Sequence, residues 1–237
     1  MTNLREASKV AFVNTVGRLP DVSGVVEKLA CWIRFSRWCI AHRPLLKRSD
    51  RFAQQRHENR YKLYEAVVRK EGLDRKPVHF LEFGVYEGAS ISWWIKRISH
   101  SGARFVGFDT FLGLPEAWHP AAPARTFSTE GKVPRIEDLR CHFEVGLFQD
   151  TVPAFLQKFS RDSRLVVHLD ADLYSSTLFV LTSIGSILRP GDLLFFDEFA
   201  SPRHEFRALE DFSRAYRFAY EPVAQVSRFN QVCLKAK

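Results

Sequence analysis

From Lys76 onward, apolar and polar positions alternate in blocks. Short, nearly uninterrupted apolar runs at 80–85, 105–108, 165–169 and 193–196, with a weaker one at 143–145, predict strands buried on both faces. Between them the apolar spacing becomes helical. Trp94, Ile95 and Ile98 follow Ser90; Leu178, Leu181, Ile184 and Leu188 lie within 175–188; Phe206, Leu209, Phe212 and Tyr216 follow Pro202. Strand–helix alternation of this kind predicts a parallel sheet covered by helices on both sides. The end differs. Residues 220–226 and 230–235 are two apolar segments around a short turn, which predicts an antiparallel hairpin. The expected architecture is a doubly wound, mostly parallel α/β sheet closed by that hairpin, spanning 77–237.

Residues 1–76 predict helices instead. Val25, Val26, Leu29, Ala30, Trp32, Ile33 and Trp38 form one apolar pattern, broken by Lys28, Arg34 and Arg37. His42-Arg43-Pro44 ends it, because the residue before a proline avoids the helical region. A second helix is expected at about 52–70, with Tyr61, Tyr64, Val67 and Val68 on one face. The basic, Trp-rich pattern across 24–62 admits a membrane-surface contact. Its apolar content exceeds what a surface helix needs and favours packing on the main domain or on a second subunit.

Charge sharpens this division. Of the 35 Lys/Arg and 27 Asp/Glu, residues 1–76 hold 17 and 8, leaving 18 against 19 for the rest. The near-neutral main region argues against a nucleic-acid groove across it. Apolar runs never reach the length of a membrane span, and MTNLREASK lacks a signal-peptide core, so the expected location is the cytoplasm. Cys31, Cys39, Cys141 and Cys233 lack metal-ligand spacing and fit reduced structural thiols.

The candidate chemistry begins in VHFLEFGVYEGAS. Here an apolar strand runs through Gly84 and Gly88 into a helix whose first N–H groups can face an anionic group. The spacing is not that of the dinucleotide fingerprint GxGxxG, which disfavours a nicotinamide oxidoreductase. Glu82, just before Gly84, suits a ligand carrying a positive group. The other strands also end in acids: Asp109, then Asp170 with Asp172, then Asp197 with Glu198. A parallel sheet carries such strand ends to one rim, where ligands bind. Asp109 stands about 20 residues past the glycine turn, where an acid meets ribose hydroxyls. Asp170, Asp197 and Glu198 supply oxygen donors of the kind Mg²⁺ takes. Asp172, at a helix start, fits a cap. His168 fits a satisfied core histidine, and His204, just beyond Asp197 and Glu198, could reach a bound ligand. Phe111, Leu112 and Trp118 are candidate walls of a ligand pocket, and 116–136, with no periodicity, is a candidate lid.

The strings FLEFGVYEGAS, VGFDTFLGLPEAW, GLFQDTVPAFL, HLDADLYSST and GDLLFFDEF resemble the macrocin O-methyltransferase family of S-adenosylmethionine-dependent enzymes, from about Arg60 to the C-terminus. The resemblance implies a class I, Rossmann-like methyltransferase fold with seven strands. It implies Mg²⁺-dependent methylation of a hydroxyl, commonly on a sugar of a bacterial natural product or glycan, often by a homo-oligomer. By position it gives Glu82, Gly84 and Gly88 to the methionine half of the cofactor, Ser90 to its carboxylate and Asp109 to the ribose. It gives Phe148 and Gln149 to the adenine, and Asp170, Asp197 and Glu198 to the metal. The related catechol-type lysine base is replaced by Leu173, leaving Asp170 as the nearest base; a vicinal diol would suit such a metal site. A non-catalytic cofactor-binding or interaction protein is the rival class.

Overall fold

The computed structural model describes residues 22–42 and 56–237, together with 6, 8, 9, 12, 13, 15 and 16 nearer the start. The expected helix over 52–70 appears as α2, Arg56–Glu71, and its first four positions lie outside the described residues. The helix before it, α1, spans Ser23–Ala41 and stops at His42, ahead of Pro44.

Seven strands form one sheet in the order β3-β2-β1-β4-β5-β7-β6. They are β1 (Val78–Phe83), β2 (Arg104–Asp109), β3 (Cys141–Val145), β4 (Arg164–Leu169), β5 (Leu193–Phe196), β6 (Tyr220–Val226) and β7 (Gln231–Ala236). The first five are mutually parallel, and β7 pairs antiparallel with β5 and β6. The expected doubly wound sheet with a C-terminal hairpin is therefore what forms. Connecting helices are α3 (Ala89–Arg97), α4 (Phe148–Lys158), α5 (Tyr174–Ile184) and α6 (Glu205–Tyr216). No helix among the described residues is long and apolar enough to cross a membrane.

Side chains that alternate along each strand feed two cores. Leu81, Phe83, Val106, Phe108, Val167, Leu169, Leu194 and Phe196 face α4, α5 and α6. Phe80, Phe105, Val166, Leu193 and Phe195 face α3 and the Leu63, Tyr64, Val67 and Val68 stripe of α2. Thus α2, though N-terminal to the first strand, is built into the same core. α1 buries Cys31 and Phe35; Phe35 and Trp38 pack edge-on against Phe199 and Phe206, and the Trp38 indole N–H donates to the Tyr220 hydroxyl at 3.0 Å. The packing alternative for this helix is realised along that stripe. Its opposite face leaves Val25, Leu29 and Ile33 exposed.

The sequence pattern did not mark α4 as a helix. Pro153 lies inside it and removes one helical N–H donor. Phe83 and Phe108 nevertheless hold its Phe148 and Phe155 edge-on, so packing overrides the propensity.

Candidate active site

The chain runs outward from β1 to β3 and returns to β4 on the other side of β1, so the strand order reverses between β1 and β4. Ligands of open α/β sheets bind at the C-terminal end of such a switch point. Register places the next residue of four strands in one row. Phe83 pairs with Phe108 and with Leu169, and Leu169 with Phe196. The following hydrogen bonds continue the ladder: Gly84 N–H to the Phe108 carbonyl (3.0 Å), Asp170 N–H to Phe83 (2.9 Å) and Asp197 N–H to Leu169 (3.0 Å). Gly84, Asp109, Asp170 and Asp197 therefore share one rim, above which lies a cavity of about 650 Å³.

One half of the cavity is built around Asp109. Its Oδ2 accepts the backbone N–H groups of Val85 (2.7 Å) and Tyr86 (2.9 Å), and its Oδ1 that of Phe111 (2.7 Å). The carboxylate thus clamps the glycine turn to the loop after β2, and it also lines the cavity. Ala89 and Ser90, in the first turn of α3, line the same space and bring helix N-terminal N–H groups to it. Phe148 and Gln149 stand opposite, at the start of α4.

The protein's own packing requires both glycines. Both have left-handed backbone, φ +91° at Gly84 and +77° at Gly88. A Cβ at 84 would lie 1.9 Å from the Asp170 carbonyl oxygen, and one at 88 would lie 2.9 Å from Pro134 Cβ. The protein's own backbone and loop demand them.

Glu82 lies under the cavity, fully buried, rather than on its wall. Its Oε1 accepts from Ser90 Oγ and stands 2.9 Å from His168 Nδ1, while His168 Nε2 stands 2.8 Å from the Tyr64 hydroxyl. Burial pushes the Glu82 carboxyl up, opposed by His168 and Ser90. Glu82 Oε2 is buried without a partner, an acceptor suited to an ammonium group above it. His168 is the satisfied core histidine the sequence suggests.

The other half of the cavity is acidic: Asp170, Asp172, Asp197 and Glu198 line it. Glu205, fully buried at the start of α6, accepts the Glu198 N–H at 3.0 Å. Arg60 of α2 reaches in, with Nη1 3.1 Å from Asp170 Oδ2 and Nη2 2.8 Å from Asp197 Oδ2. Burial lowers the guanidinium's pKa, but Asp197 and Asp170 raise it further and hold it charged. Asp197 is nevertheless pushed well up, by burial and then by Asp170, with Arg60 opposing. That direction prevails because one cation serves a crowd of buried carboxyls. Asp172 is pushed up to about 8 by burial and by its neighbours Asp170 and Glu198. It makes no helix cap, since the residue capping α5 is Leu173, with no side-chain cap bond.

A hard-cation test on these donors comes out favourably. Both Asp197 carboxylate oxygens are buried and accept no hydrogen bond. His168, Asp170 and Asp197 each bring a ligand atom within 4.8 Å of the others, and Glu198 is not in that group. Both His168 nitrogens are already engaged, which leaves the two aspartates as the oxygen pair. Arg60 and Glu205 were not foreseen from the sequence.

The wall residues divide. Trp118 lines the cavity with Gly113, Leu114 and Pro115. Phe111 instead is fully buried against Phe143, and Leu112 points to solvent, because Asp109, Thr129 and Gly131 tie the Phe111 backbone inward. The loop expected as a lid is pinned to itself: Leu114 N–H bonds the Thr126 carbonyl, Arg125 N–H bonds Leu114, and Trp118 N–H bonds Ala122. His204 accepts from the Tyr174 N–H at 3.3 Å and lies edge-on to Trp118.

Comparison with known proteins agrees with the fold. The structure is similar to calicheamicin methyltransferase CalS11 (TM-score 0.60, 23% identity, covering 76% of this chain and 80% of that one). It is also similar to the O-methyltransferase NovP (0.56, 20%, 75% and 78%) and to a CmcI structure with Mg and S-adenosylmethionine (0.51, 16%, 75% and 70%). These likenesses establish the fold. A search of curated proteins gave no match. Residues 81–199, from β1 through the acids after β5, match the family described as "Methyltransferase domain", over half of the chain. The chain belongs to the methyltransferase-domain family.

Proposed function

We propose that the protein is an S-adenosylmethionine-dependent O-methyltransferase, related to the macrocin type, that methylates a hydroxyl of a sugar or glycan with Mg²⁺ held at Asp170 and Asp197. The observation that carries this reading is that the Asp109-clamped turn and the Asp170–Asp197 pair open into one cavity of about 650 Å³. That volume suits a cofactor plus an acceptor ring. CalS11 is itself described as a TDP-rhamnose 3'-O-methyltransferase, which supports a sugar acceptor here.

Bound S-adenosylmethionine would supply an electrophilic methyl group. The N–H groups at the start of α3 would hold its carboxylate, the orphaned Glu82 Oε2 would lie toward its ammonium, and Asp109 would take the ribose hydroxyls with its remaining lone pairs. Phe148 and Gln149 would flank the adenine. Holding acceptor oxygen and methyl carbon about 3 Å apart and in line is the larger part of the protein's task. Asp170, on the cavity wall, is the acceptor for the hydroxyl proton. Asp172, whose carboxyl is pushed up to about 8 by burial and by Asp170 and Glu198, lines the cavity beside it. A hard divalent cation at the aspartate pair would stabilise charge developing on the acceptor oxygen, and Glu198 stands beside it for outer contacts.

The test is methyl transfer from labelled S-adenosylmethionine onto a panel of nucleoside-diphosphate sugars and fractionated glycans. Asp170→Asn should lose at least about 100-fold in rate, within the range for removing a proton acceptor, while S-adenosylhomocysteine binds with unchanged affinity. Loss of cofactor binding in that variant would move Asp170 into the other half of the cavity.

A further inference from the structure

We propose that Arg60 is a tethered counter-cation: its guanidinium occupies the charge position between Asp170 and Asp197, must withdraw for a divalent cation to enter, and so sets the protein's metal affinity. The inference rests on the aspartate pair being a cation site and concerns how this chain controls it. Three observations converge. Arg60 spans both carboxylates, 3.1 Å from Asp170 Oδ2 and 2.8 Å from Asp197 Oδ2. Asp197, 1% exposed, has both oxygens without a hydrogen bond, so the guanidinium neutralises it without saturating it as an acceptor. Arg60 also comes from α2, a helix N-terminal to the residues 81–199 that match the methyltransferase domain, so a separate element delivers the cation to the acids of the sheet.

Physics then forces a competition. A guanidinium and a divalent cation repel each other at this separation in a poorly solvated site. A metal cannot take Asp170 Oδ2 and Asp197 Oδ2 while Arg60 sits against those two atoms. Without metal, Arg60 keeps the buried Asp197 and the partly buried Asp170 from standing uncompensated, which is costly. With metal, the side chain withdraws from the pair toward solvent, to which 17% of it is already exposed. α2 thereby couples its own packing to the charge state of the acceptor half.

Mn²⁺ binding, read by electron paramagnetic resonance of the free ion, tests this on the full chain. Arg60→Met should bind Mn²⁺ at least tenfold more tightly than wild type, Arg60→Lys should fall between them, and adding Asp197→Asn to Arg60→Met should abolish the gain. In chelator, Arg60→Met should melt below wild type, and Mn²⁺ should raise its Tm by more. A readout needing no variant is modification of Arg60 by a dicarbonyl reagent, followed by peptide mass, which Mn²⁺ should accelerate in wild type. Equal or weaker Mn²⁺ binding by Arg60→Met, or unchanged Arg60 reactivity with Mn²⁺ bound, would overturn the proposal. So would absence of Mn²⁺ binding in every form; labelled methyl transfer by wild type in chelator would then show that the methyltransferase reading stands without the cation.

Discussion

Gly84 and Asp170 meet backbone to backbone: the Asp170 carbonyl oxygen occupies the place a side chain at 84 would take, 1.9 Å from an ideal Cβ. This contact closes the β1–β4 switch point and sets the distance between the cofactor turn and the acidic half of the cavity. Gly84→Ala combines left-handed strain of about 1–2 kcal/mol with overpacking against backbone of about 1–3 kcal/mol. The expected loss is therefore about 2–5 kcal/mol in urea denaturation. Gly131→Ala is the control, since φ there is +77° but the nearest atom is Leu112 Cδ2 at 3.6 Å. It should cost only the strain. Equal losses in the two variants would remove the contact from the account.

The buried chain Tyr64–His168–Glu82–Ser90 ties α2 to the floor of the cofactor half. Tyr64→Phe keeps the ring and deletes the hydroxyl, leaving His168 Nε2 in a site with no exposure. A buried polar group so orphaned costs about 1–3 kcal/mol, a Tm loss on the order of 2–4 °C per kcal/mol for a chain of this size. Differential scanning calorimetry would measure it. An unchanged Tm would mean the hydroxyl contributes nothing to holding His168.

His204 gives a pH dependence with a definite sign. Burial, then Arg203, holds its imidazole below the ordinary value of 6.5. The unfolded chain takes up the proton first as pH falls, so this residue's share of stability is complete above about 6.5 and is lost below it, toward the lower folded value. His204→Gln can still accept from the Tyr174 N–H. The difference in Tm between wild type and this variant should shrink, and favour the variant, from pH 7 down to pH 5. A constant difference across that range would show that the imidazole titrates alike in both states.

The parts of the site visible in the sequence are those fixed by strand ends. Parallel pairing carries Gly84, Asp109, Asp170 and Asp197 to one edge whatever the loops do, so apolar runs followed by acids sufficed. Groups placed by packing across the sheet were not visible. Nothing in the N-terminal basic excess separates Arg60 from the other cations until α2 docks. The one clue was its position four residues before Tyr64, on the same helical face as Tyr64, Val67 and Val68. Glu205 stood as one acid on a surface-like helix, yet α6 turns it under the Glu198 backbone. Apolar pattern alone makes Phe111 a pocket wall; a hydrogen-bonded turn, which that pattern does not encode, folds it inward.

The most direct measurement is calorimetric titration of S-adenosylhomocysteine and NAD into wild type, Asp109→Asn and Asp170→Asn. The account predicts one S-adenosylhomocysteine site per chain and no NAD binding. Asp109→Asn should weaken that site about 10- to 100-fold, since one acceptor oxygen and its charge are lost to the clamped turn. Asp170→Asn should bind like wild type. Tight NAD binding, or equal S-adenosylhomocysteine affinity in Asp109→Asn and wild type, would contradict it.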